Sequence, residues 1–392
     1  MQPFGFVLKR MIHAIFSILI CSSICFSPPG AAAQQSKTDA GSAAPQSGTG
    51  TDAAKVNDAA PQTTLGKTVA KAPPPVLEDP KKKGIEDWDA LAAPKEFVKY
   101  LPDSDPDSVL GVADYGDFTH ELVEAEWRQG DPIDLHILKP KGVAKPPVIL
   151  YLFSYPSTTA RYQNIEYERF LTRSGVAAVG FVSALTGQRY HDIPQKKWFV
   201  SELQQTLVAT THDVQLILDY LEKRGDFDMT RVGIFGDGSG ATIAILAAAA
   251  DPRIKAIDLL NPWGDWPDWV AQTSLIRDKE RADYQNPEFL KKVENFDPVK
   301  WLPELKGRQV RLQYVLKGVS VTPPTAMERV EAAAPPNVTI IHYDTAKEFL
   351  KNVGFQGTGF DWIKQQLGAT IKVPAEAQAT AASQTSPAAK TP

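Results

Sequence analysis

The sequence predicts an α/β domain, built on a mostly parallel central sheet with helices on both faces. Three observations predict it. Pro147–Phe153 and Val176–Val182 are continuous apolar runs without polar alternation, the mark of strands buried on both faces. Between such runs lie helical patterns, as at Leu203–Lys223, where Leu203, Leu207, Val214, Ile217, Leu218 and Leu221 recur at helical spacing. The two kinds of segment alternate from Val112 to Leu367, which is the order that parallel strands with crossover helices require.

Taken in order, Asp131–Leu138 alternates as an edge-side strand does, and the two apolar strands and the long helix follow it. Arg231–Phe235 is a short strand, succeeded at once by the small-residue helix Ser239–Ala250, which Asp251-Pro252 stops. Ala256–Leu260, Val310–Leu316 and Val338–Tyr343 are further strands, with helical stretches such as Thr325–Ala333 between them. A terminal helix runs from Gly359 to Leu367.

Composition sets the limits of the domain. Of 36 aromatic residues, four precede residue 27 and the others lie between Trp88 and Trp362. A segment without aromatics rarely buries enough apolar surface to offset its ordering entropy. One globular domain is therefore expected over residues 85–370, flanked by a disordered Ala/Gln/Ser/Thr/Pro-rich linker at 34–84 and a disordered tail at 371–392. Residues 1–33 read as a signal peptide: Lys9 and Arg10 precede the apolar run Met11–Phe26, and Ala31-Ala32-Ala33 offer a cleavage site. An uncleaved anchor is the competing reading. The expectation is an exported protein, periplasmic or secreted, with no membrane span in the mature chain. A net charge of −4 gives no footprint for nucleic acid. Cys21 and Cys25 are the only cysteines, so the mature domain has no disulfide, thiol nucleophile or Cys-based metal site.

The chemistry-bearing segment is Arg231–Ala241, RVGIFGDGSGA. With its strand, its small-residue helix and the run Asp251 to Ala256 into the next strand, it resembles the nucleophile elbow of the α/β-hydrolase superfamily. The dienelactone-hydrolase and prolyl-peptidase-like branches are nearest, and the resemblance covers residues 112 to 368. It implies the α/β-hydrolase fold and a Ser-His-Asp site. The elbow needs small residues two positions either side of the nucleophile, because the tight turn brings them into contact. Ser239 as nucleophile has Asp237 and Ala241 as flanks; Asp237 has Phe235 and Ser239; only Gly238 has glycines, Gly236 and Gly240.

The other positions implied by the resemblance also depart from the pattern. Lys347 stands where the family has its histidine, and the only histidine after residue 212 is His342, inside a strand. The loop from Lys317 to Ala326 lacks the expected acid, leaving Asp265 or Asp268 as substitutes. Where the family has His-Gly at the oxyanion loop, the chain reads Phe153-Ser154-Tyr155-Pro156, and proline removes a backbone donor. No residue is assigned as catalytic on this reading. A vacancy is expected at Gly238, bordered by Phe153, Tyr155 and the Lys347 loop.

Three functions stay open: an α/β-hydrolase-fold protein acting by binding, a serine esterase or peptidase-like hydrolase using Ser239 with His191 or Lys347 as an unusual base, and an envelope scaffold. Trp263, Trp266 and Trp269, with Phe153 and Tyr155, form either an aromatic surface for a small molecule, glycan or protein, or a cap over the domain's own core. No cofactor is expected, since GDGSG lacks the Lys-Ser/Thr of a phosphate loop, and no metal, since no cluster has ligand spacing.

Overall fold

The structure, a computed structural model, describes residues 109–125, 133–154, 161–162, 164–184, 203–318, 322–351 and 360–370. The expected signal peptide, linker and tail lie outside these, as do Tyr155 and His191.

Nine strands form one sheet. They are β1 (Val109–Asp114), β2 (Phe118–Ala125), β3 (Ile133–Pro140), β4 (Pro147–Leu152), β5 (Ala177–Gly180), β6 (Asp228–Asp237), β7 (Ile254–Leu260), β8 (Gln309–Val315) and β9 (Thr339–Tyr343). Their spatial order is β1-β2-β3-β5-β4-β6-β7-β8-β9. The first three are antiparallel neighbours, and β3 meets β5 antiparallel; from β5 to β9 every pairing is parallel. The strand expected at the sheet's edge, Asp131–Leu138, is instead β3, third from the edge and almost wholly buried. The β1–β2 hairpin, which the sequence pattern did not reveal, covers it.

Parallel strands need crossovers, and the helices supply them. They are α1 (Ile165–Thr172), α2 (Leu203–Arg224), α3 (Ser239–Ala250), α4 (Trp266–Gln272), α5 (Asp278–Tyr284), α6 (Pro287–Val293), α7 (Pro298–Trp301), α8 (Pro324–Ala332), α9 (Ala346–Leu350) and α10 (Asp361–Gln366). Because side chains alternate across a strand, β4 feeds two cores. Val148 and Leu150 join Val232 and Ile234 against α2 and α3, while Ile149 and Tyr151 join Phe235 against α1, α9 and α10. Among the described residues, no helix is long and apolar enough to cross a membrane.

Two polar devices are built into the second face. Asp258 of β7 accepts two bonds from Arg311 of β8, at 2.8 and 2.6 Å, and a third from Gln313 at 2.8 Å. Tyr343 of β9 donates to Gln313 at 3.0 Å, which carries the network across three strands. Lys364 of α10 is fully buried and donates to the carbonyls of Phe170 and Arg173, at 3.0 and 3.2 Å. It thus satisfies the open C-terminal end of α1.

Candidate functional site

The site grows from the turn between β6 and α3, at the carboxyl ends of the parallel strands, where open α/β sheets place ligands. Gly238 forms the tip, with φ 54° and ψ −116°. That conformation is strained for any side-chain-bearing residue and open to glycine. Its N–H donates to the Leu260 carbonyl at 2.8 Å, and its own carbonyl accepts from the amides of Ala241 (3.1 Å) and Thr242 (3.2 Å). Thr242 Oγ1 donates to the Trp263 carbonyl at 2.7 Å, tying the helix to the loop after β7.

The flanking glycines are demanded by contact. A Cβ on Gly236 would stand 2.6 Å from the Ala241 amide nitrogen, and one on Gly240 would stand 2.6 Å from the Leu152 carbonyl carbon. Both neighbours are backbone and cannot yield. The turn is therefore centred on Gly238, with Asp237 and Ser239 on its shoulders. Ser239 is wholly buried in the first turn of α3. Asp237 is half-buried, and burial pushes its carboxyl up to about 6 against the pull of the Arg161 guanidinium.

The space beside Gly238 differs from the expected vacancy. A Cβ there would overlap Ser154 Oγ and lie 2.8 Å from Ser154 Cβ and 3.2 Å from Trp263 Nε1. The Arg161 guanidinium stacks on Phe153, its carbon 3.5 Å from the ring centroid. Lys347 lies on α9 with its side chain in solvent. Sequence position alone places it at the border of the site, whereas helix α9 turns it outward.

His342 is exposed on β9 and shares a 2.6 Å hydrogen bond with Glu331 of α8. Strands β7 and β8 separate β9 from β6, which sets the two strands about 14 Å apart. His342 therefore stands well outside hydrogen-bond reach of Ser239. Asp265 caps α4 in the left-handed region (φ 54°), and burial together with the charges of Asp268 and Asp297 lifts its carboxyl to about 6. Asp297 orders this corner by accepting from the amides of Asp265, Trp266 and Val299 at 2.9–3.0 Å. Among the described residues, no group of three or more His, Asp or Glu could hold a metal ion.

The tryptophan loop is a cap. Trp263, Trp266 and Trp269 are each 1% exposed, with Trp263 and Trp269 4.8 Å apart and Trp266 edge-on to Trp269 at 5.7 Å. Left-handed Asn261 and Asp265 turn the chain so that the rings face inward. The alternative of an aromatic binding surface has no exposed indole here. Sequence reasoning missed the two residues that shape the site most, Ser154 and Arg161. Ser154 was noticed only as a departure from His-Gly, and Arg161 lies in a stretch without periodicity.

The same architecture occurs in solved structures. An acetyl xylan esterase from Paenibacillus sp. R4 matches with a TM-score of 0.51 at 16% identity, over 65% of this chain and 87% of that one. Acetyl xylan esterase 1 from Thermoanaerobacterium sp. JW/SL YS485 matches with a TM-score of 0.52 at 15% identity, over 72% of this chain and 96% of that one. No family profile and no curated protein sequence matches the chain. The chain has the α/β-hydrolase fold.

Proposed function

We propose that this is an exported α/β-hydrolase-fold protein that acts by binding at its cleft, with Gly238 standing where a hydrolase of this fold carries its nucleophile. The observation that carries the reading is the Gly238–Ser154 relationship. The tip of the turn has no side chain, and the hydroxymethyl group of Ser154 takes the space one would need. A serine hydroxyl is barely nucleophilic at neutral pH without a general base. Of the chain's candidates for that base, His342 belongs to Glu331 on the far side of β8, Lys347 stands in solvent, and His191 lies outside the described residues. Ser239, the alternative nucleophile, is sealed in its helix.

The occupant of the cleft is a small molecule, glycan or protein, and the signal-like residues 1–33 support its being met outside the cytoplasm. A fluorophosphonate probe and p-nitrophenyl acetate test the first part. Neither labelling nor turnover is expected, and stoichiometric labelling of Ser239 or Ser154 would restore the serine-hydrolase reading. Fractionation with N-terminal sequencing tests the second part. A mature chain starting at Gln34 is expected, and an unprocessed cytoplasmic chain would overturn export.

A further inference from the structure

Away from the cleft, three titratable side chains meet on the face of the sheet that α1 covers. His120 of β2 places Nδ1 3.1 Å from Glu168 Oε1 of α1 and Nε2 2.9 Å from His136 Nδ1 of β3. His136 in turn stacks on Tyr162, with centroids 4.7 Å apart and planes 15° from parallel. Glu168 and His136 are buried, and His120 is nearly so. Both Glu168 Oε2 and the Tyr162 hydroxyl are buried without a hydrogen-bond partner among the described residues. Such a cluster is costly, so its protonation state matters to the element that covers it.

The proton count shows how. With both rings neutral, His136 Nδ1–H donates to His120 Nε2, and His120 Nδ1–H donates to Glu168. One added proton is accommodated: His120 becomes a cation between the carboxylate and a His136 that carries its hydrogen on Nε2. A second added proton is not. Both nitrogens across the 2.9 Å gap would then carry hydrogens, and two cations would touch in a buried site. Few other charges reach His136. β5 presents only Ala-Ala-Val-Gly, and on the same face of β2 and β3 lie Glu124 and the exposed Asp134. On α1, Glu166 and Arg169 face solvent and pair with each other and with Asp117.

We propose that His120, His136 and Glu168 form an acid-released latch holding α1, and with it Arg161 and Tyr162, against the sheet. These two residues are joined to the latch at two points. Tyr162 lies on His136, and Arg161, the next residue back, reaches towards Tyr167 of α1 while stacking on Phe153. Burial, and then the nearby His120, holds the His136 imidazole down to about 3, so it resists the second proton until strongly acid conditions. The latch does not depend on whether the cleft binds or hydrolyses.

Hydrogen exchange of the full chain, corrected for intrinsic rates and followed from about pH 7 to about pH 3, tests the latch. Amides of residues 164–172 should exchange at least about tenfold faster at the acid end, while α2 stays protected. His136→Phe keeps the stack on Tyr162 and removes the titration, so its exchange over this segment should not change with pH. His120→Gln, which leaves only one ring able to become a cation, should move the release to lower pH. Ring-proton NMR of the wild type should show His136 titrating together with the release. Acid exchange in residues 164–172 no faster than in α2, equal acceleration in the wild type and both variants, or His136 titrating without any release would each overturn the proposal.

Discussion

The hydroxymethyl group of Ser154 lies across the tip of the β6–α3 turn, with its Cβ 2.8 Å from the point that a Cβ on Gly238 would take. Two consecutive features of the site are thus one: the missing side chain and the serine that fills its place are sterically exclusive.

Gly238→Ser should therefore yield no esterase activity and should unfold more easily. Reintroduced backbone strain costs about 1–3 kcal/mol. Overlap with Ser154 adds about 1–3 kcal/mol. In the double variant Ser154→Gly/Gly238→Ser the overlap part should return while activity stays absent. Denaturant midpoints and ester hydrolysis measure both, and additive stability losses would show that the two side chains do not compete.

Asp258→Ala should cost about 3–5 kcal/mol, because it strands the Arg311 guanidinium in a dry part of the sheet. Pairing it with Arg311→Met should regain most of that loss. Equilibrium unfolding decides between this and a surface-like ion pair, for which the single change would cost under about 1 kcal/mol.

The pH dependence near the cleft has a definite sign. Asp237 holds its proton more tightly in the folded chain, with a pKa near 6 against an ordinary 3.8, so stability falls as pH rises through that interval. His136 acts oppositely: its folded value of about 3 lies below the ordinary 6.5, so stability falls as pH drops from 6.5 towards 3. Asp237→Asn should thus gain about 1–2 kcal/mol at neutral pH, after allowance for solvent and for Arg161, and nothing near about pH 3. A stability difference independent of pH would refute the assignment.

Trp269→Ala should cost about 3–5 kcal/mol, as loss of a large buried ring does. Oligosaccharides should leave the emission of the tryptophan loop unchanged. Weakened glycan binding with unaltered stability would mean that the ring meets solvent after all.

Legibility in the sequence followed the kind of contact involved. Strands β4 and β5 were visible because burial on both faces forbids polar residues. The turn at Gly238 was visible because its three glycines stand at alternate positions within five residues, a spacing that shows in the sequence even though two of them answer to Leu152, Ser154 and Trp263 far along the chain. Strands β1 and β2 were not, since Thr119, His120 and Glu121 follow one another on a half-buried ribbon and break the alternation. The stretch from Asp278 to Trp301 holds three helices of seven, seven and four residues, too short to display a helical period. The part played by Ser154 was not legible for a different reason: it is a contact with a residue far along the chain, which no local pattern encodes.

Lys364 and its helix also fix when the domain can close during synthesis. Ile363 and Leu367 lie over Gly233 of β6, and the Lys364 ammonium completes the end of α1. Both partners leave the ribosome well before α10 does. Until those last residues emerge, one face of the central strand is bare and the carbonyls at the end of α1 lack their donor. The described domain therefore closes only after nearly all of its strands and helices have been made.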